Sequence, residues 1–278
     1  MATPRNAAAP SSFSPSSASP AAVTSRISRF AIGLEYDGSR FLGWQTQPGG
    51  GAVQDILEPA LGEIAGTPIS TTCAGRTDRG VHARGQVVHF DTETARPESA
   101  WVRGVNAHLP DSVAVLWAHE VGGEFHARYS ARSRTYVYRL LNRAVRPALD
   151  APYIGWFHLP LDVAAMKTAA ACFVGEHDFS AFRSADCQAK TPVRTIHDLS
   201  VSKESETITF VIRANAFLHH MVRNIVGTLV YVGKGKHPPA WVKELLASKE
   251  RSKAAPTFGP EGLCLENVEY EPKWHLPK

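Results

Sequence analysis

The sequence predicts an α+β fold in which two ferredoxin-like (β-α-β-β-α-β) halves form one extended antiparallel sheet with a central active-site cleft. Two observations lead to this prediction. Segments with apolar residues at every second position and segments with helical spacing follow each other in the order β-α-β-β-α-β before residue 130. The same order returns less regularly after residue 130, without a sequence repeat. Two halves of shared topology are therefore predicted, at 27–130 and 131–272.

Residues 27–130 are predicted to form the first half. Its opening strand is indicated by apolar side chains at alternate positions between Phe30 and Tyr36. In the helix that follows, Gly66 suits the left-handed position that ends many helices, and Pro59 is a candidate for a kink. The predicted elements are a strand at 30–36, a glycine-rich loop at 37–51, a helix at 53–64, strands at 69–74 and 86–91, a helix at 97–107 and a strand at 113–117.

The second half, residues 131–272, is less regular in sequence. Its clearest strand, 135–141, places Tyr136 and Tyr138 on one face, because side chains two residues apart on a strand point the same way. A helix at 216–232 carries an apolar stripe. The other predicted elements are a helix at 162–172, strands at 193–201 and 207–213, a short helix at 241–246 and a last strand at 263–270.

Size and composition limit the class of protein. The chain has 278 residues, 44% of them hydrophobic, which suits a globular protein with a sizeable core. No apolar run approaches the roughly 20 residues that span a bilayer, so no membrane segment is expected. The four cysteines form no CxxC pair, which disfavours a disulfide framework or a thiolate zinc site and fits a reducing cytoplasm. The net charge of +4 permits a polyanionic partner without requiring one.

Residues 1–26 differ from the rest of the chain. They consist mainly of Ala, Ser and Pro, contain no acidic residue and show no apolar periodicity, which predicts a disordered N-terminal tail. A Ser-rich segment without acidic residues is also typical of organelle transit peptides. Here the arginines are sparse and the prolines oppose an amphipathic helix, so the disordered tail is the favoured interpretation.

Residues 74–85, AGRTDRGVHARG, place one carboxylate, Asp78, among three arginines. If residues 75–78 are extended, Arg76 and Asp78 lie on one strand face, and the guanidinium would keep the carboxylate ionised. Asp78 would then be an anion able to attack a substrate or to accept a proton. The alternative is structural, because residues 77–80 also suit a type I turn in which the Asp side chain binds its own backbone.

The order of residues in this stretch is more specific than its charge. GRTDRGVHA, at residues 75–83, closely resembles the GRTDxGVHA signature of the TruA family of tRNA pseudouridine synthases. The resemblance extends over residues 30–270, nearly the whole chain apart from its ends. Further segments similar to the family occur in the same order, namely EYDGSRFLGWQTQP, FHARYSARSRTYVYRL, GEHDFSAFR and NAFLHHMVRNIVG.

The resemblance implies an enzyme that isomerises uridine to pseudouridine in the anticodon stem-loop of tRNA, at positions 38, 39 and 40. It also implies a uridine flipped out of its stack, no cofactor, a homodimer and a cytoplasmic location. The family's catalytic nucleophile corresponds to Asp78, its active-site tyrosine to Tyr136 and its catalytic-pocket arginine to Arg223. The sequence leaves open whether Asp78 attacks the ribose, attacks the uracil ring or removes a ribose proton.

Tyr136 and Arg223 also have structural interpretations. Most strand tyrosines pack against a sheet, although a phenol beside Asp78 could stack on uracil and relay a proton. Arg223 could extend its apolar stem along a core helix, whereas an ion pair with Asp78 would suit a catalytic pocket. On the predicted helix, His219 shares a face with Arg223 at four-residue spacing.

His219 and His220 raise the alternative of a metal site. Adjacent residues on a helix point about 100° apart, and no carboxylate or thiolate follows at ligand spacing, so no metal is expected. The sequence also lacks a Walker loop, a GxGxxG motif after a strand and a nucleophile elbow, so no nucleotide cofactor is expected. The rival functions are a non-catalytic RNA-binding or chaperone protein on the same fold and a metal-dependent hydrolase.

Basic residues near the central stretch are the candidate RNA contacts, together with Tyr136. For any one of them, a solvated basic face is the ordinary role. Trp44 is either a stacking surface for a base or part of the packing of its loop. The candidate phosphate contacts are Arg79, His82, Arg84, Arg128, Arg132 and Arg134.

Overall fold

The computed structural model describes residues 1–2 and 27–277, so the predicted tail at 1–26 lies, apart from its first two residues, outside the described residues. The described residues contain ten strands and five α-helices. In chain order these are β1 (Ser28–Tyr36), α1 (Val53–Ala65), β2 (Thr72–Cys73), β3 (His82–Thr92), α2 (Glu98–Asn106), β4 (Val113–Val121), β5 (Ala131–Asn142), β6 (Gly155–Phe157), α3 (Val163–Ala171), β7 (Gly175–Asp178), β8 (Val193–Glu204), β9 (Thr207–Ala214), α4 (Met221–Gly233), α5 (Trp241–Ser248) and β10 (Leu263–Tyr270).

All ten strands belong to one sheet, in the order β4-β1-β3-β10-β5-β9-β8-β7, with β2 beside β3 and β6 beside β5. The first β-α-β-β-α-β unit contains β1 to β4, and its strands lie in the spatial order 4-1-3-2. The second unit contains β5, β8, β9 and β10, and these lie in the same order. The predicted α+β fold with two ferredoxin-like halves in an extended, mainly antiparallel sheet is therefore confirmed.

The two units join where β3 and β10 run parallel. Two residue pairs form this short ladder, His82 with Cys264 and Ala83 with Leu265. A Cβ atom on Gly85 would lie 2.5 Å from the carbonyl oxygen of Glu266, so the close approach of the two strands requires glycine at this position. The loop between β2 and β3, which carries Asp78, therefore emerges at the junction of the two units.

Buried aromatic side chains fix the helices of the first unit on the sheet. The Trp101 ring of α2 lies 5.0 Å from the Phe90 ring of β3 and 5.5 Å from the Phe30 ring of β1. Each large apolar side chain buried in this way contributes roughly 1.5–3 kcal/mol to folding. As predicted, Gly66 ends α1 in the left-handed conformation, with φ 73°.

Helix α4 is almost completely enclosed by the second unit. A Cβ atom on Gly227 would lie 2.4 Å from the carbonyl oxygen of Pro256, so this glycine lets the following segment cross close to the helix. The backbone N–H of Phe258 in that segment donates to the carbonyl of Arg223, at 3.3 Å. The first turn of α4 is therefore held in a fixed position against the sheet.

The predicted start of this helix at residue 216 is wrong, because α4 begins at Met221. His220, immediately before it, has a left-handed φ of 64°, which a continuous α-helix does not permit. Upstream, the Asn215 side-chain oxygen accepts hydrogen bonds from the backbone N–H groups of Ala216 and Thr195. This side chain offers the backbone an alternative to helix, which is typical of Asn outside helix interiors.

Strand boundaries differ from the prediction in both directions. The predicted strand at 69–74 is reduced to the two residues of β2, which pair only with His89 and Val88. The predicted strand at 86–91 extends to the full length of β3, because β1 and β10 supply partners that its own sequence does not reveal. The short strands β6 and β7 were not predicted. Among the described residues, no helix combines the length and the apolar character needed to cross a bilayer.

Candidate active site

A large cleft of about 1500 Å³ opens where the two units meet. Its walls include the loop between β2 and β3, part of β5 and the segment that leads into α4. Asp78, Tyr136 and Arg223, which the sequence analysis selected together, all line this cleft. The sheet topology therefore brings side chains from both halves into one site.

Asp78 lies in the cleft with three cationic or titratable partners around its carboxylate. Its Oδ2 atom is 3.1 Å from Arg223 Nη1 and 3.6 Å from His220 Nε2, and its Oδ1 atom is 3.4 Å from His219 Nε2. Burial alone would raise the pKa of Asp78, but the contacts with the two histidines and the Arg223 guanidinium outweigh burial and lower this pKa. Asp78 is therefore ionised at neutral pH although its side chain is only 18% exposed.

Arg223 is fixed by two contacts on different sides of its guanidinium. Its Nε–H donates to the Phe258 carbonyl at 2.8 Å while Nη1 donates to Asp78 at 3.1 Å. A guanidinium is planar and always charged, so this fork holds both the position and the ionisation of the carboxylate. The ion pair expected between Arg223 and Asp78 is thus present.

Arg76 does not form the predicted ion pair with Asp78. Residues 76–78 are irregular rather than extended strand, and the Arg76 side chain is exposed. Among the described residues, it forms no ion pair with Asp78. Arg76 and Asp78 do not share a strand face, because β2 ends at Cys73 and the chain has already left the sheet. Arg76 lines the cleft instead, where its charge is available to a ligand.

Hydrogen bonds from the first unit hold the Asp78 loop. The Gln86 side chain donates to the Gly75 carbonyl at 2.6 Å, the Tyr36 hydroxyl lies 2.8 Å from the Thr77 hydroxyl, and the backbone N–H of Trp44 donates to the Thr77 carbonyl at 3.0 Å. The structural alternative predicted a turn at residues 77–80. The observed turn spans residues 78–81, because the Val81 N–H donates to the Asp78 carbonyl at 3.1 Å. The loop is therefore pinned on both sides of Asp78.

Tyr136 forms part of the cleft wall beside this loop. Its ring packs edge-on against Phe217, with ring centroids 5.0 Å apart, and a Cβ atom on Gly75 would lie 3.8 Å from its hydroxyl. Burial raises the pKa of Tyr136, so the phenol stays protonated at neutral pH. Tyr138, on the same strand face, points into the core, where its hydroxyl donates to the Gly259 carbonyl at 2.9 Å. Only the first of the two tyrosines reaches the cleft.

The two adjacent histidines meet a carboxylate that the sequence argument did not foresee. Asp78, His219 and His220 place one ligand-type atom each within 4.8 Å of one another, although Asp78 is far from the two histidines in the chain. Arg223, however, already binds the same carboxylate, and its guanidinium would repel a cation at this position. The arrangement is therefore a charge cluster organised around Asp78 and a poor fit for a metal ion.

Comparison with known proteins agrees with this site. A family model described as tRNA pseudouridine synthase matches residues 34–130 and 169–271, which is most of the chain. The chain belongs to this family. The matched segments lie within the region of the TruA resemblance to within one residue at the C-terminal end, and they include Asp78 and Arg223.

Curated relatives of this family cover nearly the whole chain. Proteins named tRNA pseudouridine synthase A from Dechloromonas aromatica, Methylobacillus flagellatus and Aromatoleum aromaticum are 57%, 56% and 58% identical to it, respectively. Each match covers 90% of this chain and 94–95% of the relative. Among solved structures, an H/ACA RNP bound to a substrate RNA containing 2'-deoxyuridine is 12% identical, with a TM-score of 0.34 over 72% of this chain and 44% of that chain, too distant to support a conclusion.

Trp44 lies in the wall of the cleft, but its side chain is almost completely covered by protein. Its side chain is 2% exposed and its ring packs 6.0 Å from the Tyr36 ring. A base cannot stack on a face that is already covered by protein. The prediction of Trp44 as a stacking surface is therefore wrong, and its alternative role in loop packing is the one observed.

His82 and Arg84, predicted as phosphate contacts, do not line this cleft but a separate pocket of about 270 Å³. The His82 ring is buried, with Nε2 2.9 Å from the Pro152 carbonyl and Nδ1 accepting the Gly38 N–H at 3.1 Å. Arg84 is exposed and its guanidinium lies 3.6 Å from Glu266. Period two along β3 directs both side chains to the same face, away from Asp78.

Arg134 is a structural residue rather than a phosphate contact. Its buried guanidinium donates to four carbonyl oxygens and none of its hydrogen bonds goes to a carboxylate. The four acceptors belong to Ala74, Arg128, Ala131 and Asn215. Ala74 begins the Asp78 loop, Arg128 and Ala131 lie just before and at the start of β5, and Asn215 begins the segment leading to α4, so one side chain ties these walls of the cleft together.

The remaining candidate phosphate contacts differ in whether their side chains are exposed and free of ion pairs. Arg79 and Arg128 are exposed and line the cleft, as predicted for residues that contact a phosphate backbone. Arg132 is exposed but pairs with Glu271 at 2.8 Å. Tyr129, which the sequence analysis did not select, is 76% exposed next to Arg128, whose guanidinium carbon lies 5.7 Å from its ring centre. The sequence shows a tyrosine next to an arginine, but it does not reveal that the tyrosine side chain is exposed.

Proposed function

We propose that this chain isomerises uridine to pseudouridine in the anticodon stem-loop of tRNA, at positions 38, 39 and 40, with Asp78 as the nucleophile. The observation that carries the proposal is the ionised Asp78 carboxylate inside the cleft, held by Arg223 and lying close to Tyr136 in a member of this family. The cleft is large enough for a flipped-out nucleotide, whose extrusion costs a few kcal/mol.

The reaction exchanges one bond of the uracil ring for another. The bond between ribose C1' and ring N1 breaks, the ring turns, and C1' joins ring C5. Asp78 attacks the ribose, attacks the uracil ring or removes a ribose proton, and all three roles require the ionised carboxylate that the contacts with His219, His220 and Arg223 maintain. Tyr136 stacks against the base and, because it stays protonated, acts as a hydrogen-bond or proton donor.

The RNA surface follows from the exposed residues at the cleft. Arg76, Arg79 and Arg128 line the cleft with exposed guanidinium groups that suit phosphate oxygens. Tyr129 offers the exposed aromatic face that Trp44 lacks, and stacking of one base on such a ring contributes about 1–3 kcal/mol.

We further propose that the functional unit is a cytoplasmic homodimer. Five apolar side chains are exposed between β5 and α3, a density that is typical of interaction surfaces. They are Val145, Leu149, Tyr153, Trp156 and Leu159. Light scattering of the purified chain should give twice its mass of 30.2 kDa, and a monomer mass would contradict the dimer.

The halves at 27–130 and 131–272 are proposed as the two domains of the enzyme. Asp78 comes from the first, while Tyr136 and Arg223 come from the second, so neither half contains a complete site. This dependence on both halves also argues against a non-catalytic RNA-binding protein. Such a protein would use the basic surface but would not need a charge cluster that keeps one carboxylate ionised.

The deciding experiment uses the purified protein and a uridine-labelled tRNA transcript in the presence of a chelator. Nucleoside analysis should detect pseudouridine in the anticodon stem-loop. Binding without pseudouridine would support the non-catalytic alternative, and activity that disappears with the chelator would support the metal-dependent alternative.

A further inference from the structure

His219 lies on the opposite side of the Asp78 carboxylate from Arg223. Its Nε2 atom is 3.4 Å from Oδ1, whereas Arg223 approaches Oδ2. The backbone of His219 is anchored, because its carbonyl accepts the Ser184 N–H at 3.0 Å. The side chain is 38% exposed and lines the cleft, so a ligand that reaches Asp78 also reaches this imidazole.

The proposed isomerisation requires a proton carrier near Asp78. In the product, ring C5 has lost its hydrogen and ring N1 has gained one, whichever bond Asp78 makes. Arg223 cannot serve because a guanidinium does not release its proton at physiological pH. Tyr136 is protonated and can donate, but its raised pKa makes it a poor site for taking a proton and releasing it again. Asp78 is occupied by the reaction itself.

We propose that His219 is a further catalytic residue, which donates a proton to ring N1 and later accepts the proton released from ring C5. This inference rests on the proposed pseudouridine synthase activity and adds a residue to it. The chemical requirement is a titratable group within reach of both the carboxylate and the turning base, and the His219 imidazole meets it.

The proton and electron balance closes with His219 in both steps. When the C1'–N1 bond breaks, its electron pair stays on N1, and the proton on His219 Nε2 moves to N1. When Asp78 attacks the ribose, its oxygen bonds to C1' as N1 leaves; the C5=C6 electron pair then forms the C5–C1' bond and displaces that oxygen, which restores the Asp78 carboxylate. The gain of a proton at N1 and the loss of one from C5 are the same for the other two roles of Asp78. The C5 proton passes to Nε2, and the electrons of the C5–H bond restore the double bond of the ring. His219 begins and ends as the imidazolium, so no external acid or base is consumed.

The contact with Asp78 couples the protonation of His219 to the reaction at the Asp78 carboxylate. The His220 imidazole also lies beside His219, with ring centroids 4.0 Å apart. Asp78 and Asp186 raise the pKa of His219, whereas burial and Arg223 lower it. The contact with Asp78 is the strongest of these, and the pKa of His219 is raised, which favours the imidazolium in the resting site. A covalent bond or a proton on Asp78 removes that negative charge, so each of the three Asp78 routes makes His219 more acidic when N1 needs a proton.

His220 is less suitable for this task. Its Nε2 atom lies 3.6 Å from Oδ2, on the side that Arg223 occupies, and burial lowers its pKa. Its left-handed backbone at the start of α4 also ties the residue to the helix boundary. The two adjacent histidines therefore differ in role, with His219 facing the ligand and His220 supporting the turn.

The test compares His219→Gln with the wild type in single-turnover reactions on tRNA that carries uridine deuterated at C5. Glutamine keeps a hydrogen-bond donor beside Asp78 but cannot carry a proton. We expect a rate at least about 100-fold lower, tRNA binding within about twofold, and a primary isotope effect larger than in the wild type. The wild-type rate should also fall at high pH, as the imidazolium is lost, and the variant should lack this limb.

Two further variants keep the test specific. His219→Ala should recover part of its activity when imidazole is added, which a purely structural defect would not. His119→Gln is the matched control, because His119 pairs with Glu98 at 3.0 Å away from the cleft, and it should retain wild-type activity. A His219→Gln enzyme with the wild-type rate and isotope effect, or without rescue in the alanine variant, would overturn the inference. Absence of pseudouridine with the wild-type protein would instead overturn the proposed function.

Discussion

Arg223 Nη1 and Asp78 Oδ2 lie 3.1 Å apart although the two residues are 145 positions apart in the chain. The contact joins a loop of the first β-α-β-β-α-β unit to the first turn of a helix in the second. Because both side chains are largely buried, the pair depends on correct assembly of the sheet across the β3–β10 junction. An ionised carboxylate in the cleft is therefore a property of the complete fold.

Asp78→Asn is expected to abolish pseudouridine formation and to leave tRNA affinity near the wild-type value. The amide is isosteric but is neither a nucleophile nor a base, whereas phosphate contacts supply most of the affinity. Nucleoside analysis and a filter-binding titration measure the two effects. Asp111→Asn, an exposed residue outside the large cleft, is the control and should be fully active. Residual turnover in purified Asp78→Asn would refute the nucleophile assignment.

Arg223→Gln should move the acidic limb of the rate profile to higher pH. Asp78 has a pKa below its ordinary value of 3.8 because charged partners outweigh burial. Without the guanidinium, burial carries more weight and the pKa of Asp78 rises. As the pH is lowered, the Asp78 carboxylate of the variant is therefore protonated at a higher pH than that of the wild type. Single-turnover rates between about pH 4 and 7 measure the shift. An unchanged limb with a uniformly lower rate would mean that Arg223 acts on the substrate alone.

Tyr136→Phe should slow turnover more than it weakens tRNA binding. The phenylalanine ring preserves the edge-on contact with Phe217, while the hydroxyl next to the Asp78 loop is removed. We expect kcat to fall by about 100-fold, as for loss of a positioned hydrogen-bond or proton donor, with a small change in KM. Tyr138→Phe, with its hydroxyl directed at a core carbonyl, is the matched variant and should affect stability instead. Unchanged kinetics of Tyr136→Phe would remove the proton-transfer role.

Tyr129→Ala should weaken tRNA binding, whereas Trp44→Ala should lower the stability of the fold. Tyr129 is exposed, so its loss should weaken tRNA binding by roughly 1–3 kcal/mol without changing the melting temperature. Trp44 is buried, so its loss should cost about 3–5 kcal/mol of folding free energy. Binding titrations and thermal unfolding separate the two outcomes. Normal tRNA affinity of the Tyr129 variant would exclude this ring from the RNA surface.

Arg134→Lys should lower stability and kcat while leaving tRNA affinity almost unchanged. One ammonium group cannot reach the four carbonyls that the guanidinium bridges, and lost hydrogen bonds to a buried charged group cost about 1.5–3 kcal/mol each. Arg79→Lys, at an exposed position, is the matched control and should leave stability unchanged. A large loss of tRNA affinity in a stably folded Arg134→Lys protein would restore its role as a phosphate contact.

Sequence patterns were sufficient wherever the deciding interaction is local. Alternation and helical spacing predicted the topology of both units, because burial on one face of an element determines the spacing of its apolar residues. The predicted strand at 263–270 agrees with β10 at both ends. The motif around Asp78 indicated the family and the nucleophile, since short motifs preserve the order of groups that chemistry requires. Arg223 and Tyr136 were selected in the same way, through the resemblance.

Long-range contacts decided the rest, because sequence spacing carries no information about them. Arg76 is two residues from Asp78 in the chain, yet its side chain is exposed. His219 and His220, from the other unit, are the residues that reach the Asp78 carboxylate. Trp44, His82 and Arg134 were plausible RNA contacts by residue type, and only their burial shows that they hold the structure together. Residue chemistry thus determined which groups can react, and the folded sheet determined which of them meet.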